Sequence, residues 1–164
     1  MKYQNNIMKY QFTLQALFLI VLFLSGCVKD YEAVDELSFK ANGELVTANS
    51  VSCHLRDNRE SISITAFLSK TDNSILSINL KANRVGTYPF TDNYLDGRGD
   101  IVTYPDGMYS SNTTKTPEGQ VVITKYDTTN WLISGTFSFV AYKDSVVKKV
   151  ITEGKFSNIR CYTF

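Results

Sequence analysis

From residue 37 onward, apolar and polar positions alternate in short runs interrupted by Asn, Asp and Gly, and no useful length repeats at the helical period. The stretch "ELSFKANGELVTA" places Asn42-Gly43 between two alternating runs, the strongest short-range hairpin signal, so the domain is predicted to open with a hairpin. Further predicted strands are "SVSCHL" (50–55), "SISITAFL" (61–68), "SILSINLK" (74–81), "QVVITKY" (120–126), "LISGTFSFVAY" (132–142), "VVKKVIT" (146–152) and "FSNIRCYTF" (156–164). Their separators, "RDNRE", "KTDN", "DTTN", "KD" and "EG", are too short for parallel crossovers. The expected fold is therefore all-β and antiparallel, with roughly 8–10 strands of half-buried type.

In "LISGTFSFVAY", Ile133, Gly135, Phe137, Phe139 and Ala141 share one face, and Ser134, Thr136 and Ser138 share the other. Two such layers cover each other's apolar faces in a β-sandwich; a closed or half-open barrel is the alternative, and alternation does not separate them. Between Tyr88 and Pro117 the pattern lapses. That segment holds all three prolines and three glycines, and it reads as a long excursion with at most one short strand at "DIVTY".

The first residues follow another rule. Lys2 and Lys9 are the only charges before residue 27, an unbroken apolar run covers 16–24, and Ser25-Gly26 follows. Nine apolar residues fall short of the ~20 that span a bilayer as a helix, so the segment reads as a secretory signal. "MKYQ" occurs at both 1–4 and 8–11, leaving Met1 and Met8 as candidate starts. Leu24-Ser25-Gly26-Cys27 resembles the lipobox of bacterial lipoproteins. The resemblance implies that Cys27 is lipidated and becomes the new N-terminus; two or more acyl chains anchor stably where one does not. The expected organisation is a signal peptide (1–26), an acylated N-terminus and polar tether (27–36), and one all-β domain (37–164). Lys29, Asp30 and Glu32, just after the cysteine, are either a plain spacer or a loose match to the surface-export signal of Bacteroidetes lipoproteins.

Removal of the signal changes the charge. The full chain carries 17 basic and 16 acidic residues, and losing Lys2 and Lys9 leaves the acidic ones in excess by one. Without a basic stripe or a nucleic-acid motif, no nucleic-acid partner is expected.

"GQVVITKYDTTNWLISGTFSFVAY" followed by "VITEGKFSNI" resembles the C-terminal part of an uncharacterised family of small Bacteroidetes lipoproteins, and "SFKANGELVTA" is similar to the same family's N-terminal hairpin. The resemblance covers both ends of the mature chain and little of 85–118. It implies an all-β build and attachment to the cell envelope, at the outer membrane on its periplasmic face or at the cell surface. It transfers no catalytic residue. The chain departs from the family pattern by carrying Trp131 where a small or polar residue is usual.

Candidate chemistry is sparse. His54 is the single histidine, which excludes a metal site with two His ligands, and its neighbour Cys53 points to the opposite strand face. With Cys27 acylated, Cys53 and Cys161 remain; they are either a disulfide of an oxidising compartment or two buried thiols. Asp92, Asn93, Asp96, Asp100 and Asp106 gather in the excursion, but Tyr94 and Thr103 stand where a calcium loop needs ligands. No metal and no cofactor are therefore expected.

The same region holds Tyr88, Phe90, Tyr94, Tyr104 and Tyr109 beside Asp96 and Arg98, aromatic faces next to polar groups as a sugar-binding surface requires. "DTT" and "DSV" make Thr128 and Ser145 candidate O-glycosylation sites of the Asp-Ser/Thr-apolar type. The expected protein is a non-enzymatic, lipid-anchored module that binds a glycan or another ligand. The alternative is an assembly component that pairs with a protein partner through its sheet edges.

Overall fold

The computed structural model describes residues 36–71, 73–93, 96–144 and 146–163. Cys27, Tyr94, Ser145, the signal segment and nearly all of the tether lie outside the described residues.

The opening hairpin joins β1 (Glu36–Ala41) to β2 (Glu44–Thr47). Its two turn residues take the left-handed conformations that a tight hairpin requires, Asn42 at φ 50° and Gly43 at φ 90°. The Asn42 side chain also accepts the Val150 N–H at 2.9 Å, while its own N–H donates to the Val150 carbonyl at 2.9 Å. The turn is thus tied to the last strand.

A meander follows: β3 (Ser50–Arg56), β4 (Ser61–Phe67) and β5 (Ile75–Lys81). Then come β6 (Gly86–Pro89), β7 (Gly97–Thr103) and β8 (Gly107–Ser110). The chain ends with β9 (Gly119–Asp127), β10 (Leu132–Lys143) and β11 (Val147–Thr163). All 11 strands join one sheet in the order β2-β1-β11-β3-β4-β5-β7-β8-β10-β9-β6, and β10 also pairs with β11. That extra pairing turns the row back on itself, so β11, β3, β4, β5, β7, β8 and β10 form a closed hydrogen-bonded circuit. β1–β2 and β9–β6 branch from it. The result is all-β and sandwich-like, around one core.

Along β10 the alternation holds. Ile133, Gly135, Phe137, Phe139 and Ala141 are buried and the intervening residues are half-buried or exposed. Phe39, Phe137 and Phe156 meet there, with Phe137 6.0 Å from Phe39 and 6.5 Å from Phe156 between ring centres. These rings are all part of the buried core.

Three features differ from the sequence expectation. The sheet is mixed, because β11 runs parallel to β3 with Cys161, Tyr162 and Thr163 opposite Cys53, His54 and Leu55. The 88–117 segment is not an excursion, since it contains β7, β8 and the end of β6. Its strands are hidden by glycine and proline, which the core demands there. A Cβ on Gly99 would sit 2.8 Å from the Phe139 ring, and Pro89 is tolerated because β6 is an edge strand.

Finally, the predicted turn at Glu153-Gly154 is a bulge within one continuous strand of 17 residues. Glu153 at φ 51° takes up one extra residue against both β1 and β10, where Ser38↔Lys155 steps to Lys40↔Thr152 and Phe137↔Gly154 steps to Phe139↔Ile151.

Candidate functional site

The residues singled out for ligand contact do not form one surface. Phe90 is buried, with its ring centre 5.4 Å from that of Phe139. Tyr109 is buried too, with Lys149 Nζ 4.8 Å above its ring. Tyr104 is 74% exposed in the β7–β8 turn, where its N–H donates to Ser74 Oγ at 3.3 Å. Tyr88, Asp96 and Arg98 lie near the other end of β7, because a seven-residue strand separates its flanking turns by about 20 Å. Thr128 is exposed in the β9–β10 turn. Cys53 and Cys161 are joined in a disulfide with an S–S distance of 1.93 Å. Among the described residues, no group of three His, Cys, Asp or Glu side chains could hold a metal ion.

At the Tyr88 end a different cluster stands out. The β3–β4 turn carries three consecutive non-glycine residues in the left-handed region: Asp57 at φ 52°, Asn58 at φ 56° and Arg59 at φ 74°. Asp and Asn accept that conformation readily, whereas a residue such as Arg pays about 1–2 kcal/mol for it. Facing the turn is Trp131, itself at φ 57°, at the end of the β9–β10 turn. The Arg59 guanidinium carbon stands 4.2 Å from the Trp131 ring centre. Two costly backbone conformations thus present side chains that stack on each other, an arrangement that persists only when its surroundings enforce it.

Those surroundings are identifiable. Asp127 Oδ1 accepts the N–H groups of Thr129 at 2.9 Å and Asn130 at 3.0 Å, and Asn130 Nδ2 donates to Oδ2 at 2.9 Å. These bonds, the Asn130 side chain first, hold the Asp127 carboxyl below its ordinary pKa. The Trp131 carbonyl accepts the Cys161 N–H at 2.8 Å, so the disulfide strand clamps the far side of the turn. Burial raises the Tyr126 pKa, Arg59 opposes that shift, and Tyr88 adds to it. Tyr126 therefore lies within electrostatic reach of both. Tyr88, in turn, donates its hydroxyl to the Arg84 carbonyl at 2.8 Å. Tyr88, Tyr126 and Trp131 are all half-buried and pack against the core from this end.

A family model described as a domain of unknown function (DUF6252) matches residues 36–160. The chain belongs to that family. The match in this DUF6252 domain begins with β1 and takes in the Arg59 turn, Tyr88, Tyr126 and Trp131; Cys161 falls one residue beyond it. No curated protein and no solved structure matches the chain.

Three recesses border the Arg59 turn of the DUF6252 domain. One of about 580 Å³ lies between Glu60 and residues 81–88, and one of about 560 Å³ between residues 55–59 and Thr163. A smaller one of about 220 Å³ opens onto the outward face of β4, β5 and β7, where Ser63, Asn79 and Arg98 stand in one cross-strand row. Ser63 donates to Asn79 Oδ1 at 2.9 Å, and Arg98 Nε lies 2.8 Å from Asp100 Oδ2.

Sequence reasoning passed over this site because "RDNRE" reads only as a turn. The tolerance of Asp and Asn for positive φ was a local signal, but the partner of Arg59 lies 72 positions away on another turn.

Proposed function

We propose that the protein is a non-enzymatic, lipid-anchored lipoprotein of the cell envelope. Its all-β domain binds a glycan at the end formed by the 56–60, 82–88 and 126–131 segments. Binding is supported above all by the Arg59–Trp131 stack, built from two backbone segments in costly conformations beside Tyr88 and open recesses. Aromatic side chains offer apolar faces to sugar rings, while Arg, Asn and Asp groups take up hydroxyl hydrogen bonds. The anchor is supported by Leu24-Ser25-Gly26-Cys27 directly after the apolar run.

Each half has its own test. Cells fed a labelled palmitate analogue incorporate label into the wild-type chain and none into Cys27→Ala; label persisting in the variant sinks the anchor. For binding, the full chain in a nonionic detergent is screened on a glycan array. Arg59→Ala and Tyr88→Ala are expected to weaken capture about tenfold, whereas Tyr104→Ala, at the opposite end, leaves it unchanged. Capture that responds to Tyr104 and ignores Arg59 and Tyr88 moves the site elsewhere, and an array without a hit removes the glycan reading.

A further inference from the structure

The walls of the three recesses around the Arg59 turn carry more basic than acidic side chains. Their walls bear Arg56, Arg59, Lys81, Arg84 and Arg98 against Asp57 and Glu60. Five cations thus line the recess walls against two carboxylates, with Asp127 on the neighbouring turn and Asp100 behind Arg98. The recesses also adjoin one another. Arg56 and Asp57 line both the second and the third, while Glu60 and Lys81 of the first are sequence neighbours of Ser61 and Leu80 in the third.

Most of these cations are uncommitted. Among the described residues Arg56, Lys81 and Arg84 enter no ion pair. Arg98 Nε stands 2.8 Å from Asp100 Oδ2 but is buried without a hydrogen-bond partner among the described residues. Asp100 is itself held, since it is buried and accepts the Ser110 hydroxyl. Asp100 thus stands behind the Arg98 guanidinium as a counter-charge, while the guanidinium's N–H donors remain available to an oxyanion. Beside it, Ser63 and Asn79 supply neutral polar groups, and Arg56 borders the same recess from the end of β3.

We propose that the ligand of this end is an acidic glycan, with a carboxylate or sulfate group seated between Arg56 and Arg98 and neighbouring sugar rings reaching toward Arg84 and Tyr88. This rests on the glycan reading above and specifies its chemistry. The interleaved acids favour a sugar over a continuous polyphosphate. Asp57 and Glu60 repel a closely spaced run of phosphates, but they accept hydrogen bonds from the hydroxyls of a sugar with one charge per residue or fewer. The recess beside Arg98, at about 220 Å³, has room for a single charged group.

The test uses the full chain in nonionic detergent and four probes: a uronate oligosaccharide, a sulfated oligosaccharide, the neutral oligosaccharide of the same backbone, and short single-stranded DNA. One of the two acidic glycans is expected to bind at least about tenfold more tightly than the neutral one, and to weaken as salt rises from 50 to 500 mM. Which of them binds tells carboxylate from sulfate. Arg56→Glu, at an exposed position, is expected to reduce that affinity about tenfold or more with an unchanged melting midpoint, and Arg98→Gln to reduce it similarly.

Equal binding of the neutral glycan overturns the acidic assignment and leaves the glycan reading standing. No binding of any glycan overturns both. Binding of DNA as tight as that of the acidic glycan shows general attraction of polyanions and overturns the proposal, as does full affinity in Arg56→Glu.

Discussion

Replacing Cys53 and Cys161 together with alanine is expected to lower the unfolding free energy by about 4 kcal/mol and the melting midpoint by roughly 15 °C. The bridge links positions 108 residues apart, so its loss frees a loop spanning most of the domain in the unfolded chain. Its location adds to the effect. β3 and β11 pair over three residues only, and this short parallel junction helps close the circuit of strands. Without the covalent link, the end of β11 is held by few bonds. The Cys161 N–H, which donates to the Trp131 carbonyl, then loses its anchorage, and the Arg59–Trp131 end loosens with it. Thermal and urea melts of the parent and the double variant measure the change. Midpoints within about 2 °C of each other would show that the sheet closes on its noncovalent contacts alone.

The parts of this fold that are legible in sequence are those whose cause is local. Asn42-Gly43 announces its hairpin because two adjacent residues must adopt positive φ, and β10 shows its two faces because neighbouring strands bury every second side chain. Partner choice has no such local trace. The "SVSCHL" and "FSNIRCYTF" runs alternate correctly whether they lie side by side or at opposite edges, so the parallel pairing through Cys53 and Cys161 emerges only in three dimensions.

β7 is hidden for another reason. Its Gly97 and Gly99 look like loop residues, yet a Cβ at Gly97 would stand 3.1 Å from the Pro89 carbonyl oxygen and one at Gly99 2.8 Å from the Phe139 ring. The same holds for the candidate site. Residue types alone placed the ligand surface on the aromatic stretch from Tyr88 to Tyr109, but β7 separates its two ends and the core takes Phe90 and Tyr109. What remains at the Tyr88 end is completed by Arg59 and Trp131, brought together by two turns; Asp57 and Asn58 favour positive φ, but nothing in residue preference announces it for Arg59 or Trp131.

Gly135→Ala is expected to destabilise the domain by at least about 3 kcal/mol, near the upper end for overpacking and enough to prevent folding of a marginal domain. Gly135 sits in β10 between β9 and β11, at the point where both neighbours carry an extra residue. An added Cβ would stand 2.2 Å from the Val122 carbonyl oxygen and 2.6 Å from Phe156 Cζ. A ring can turn away, but a carbonyl within a paired strand cannot move without breaking its ladder. Gly99 provides the contrast, because the three atoms nearest to a Cβ there all belong to the Phe139 ring, at 2.8–3.0 Å. Gly99→Ala should therefore cost about 1–2 kcal/mol and be largely rescued by Phe139→Leu, a coupling of the size seen between contacting side chains. Phe156→Leu should rescue Gly135→Ala only in part, since the clash with the Val122 carbonyl stays. Urea melts of the four variants decide the matter: full rescue of Gly135→Ala by Phe156→Leu would place the constraint in the side-chain core rather than in the backbone of the closed circuit.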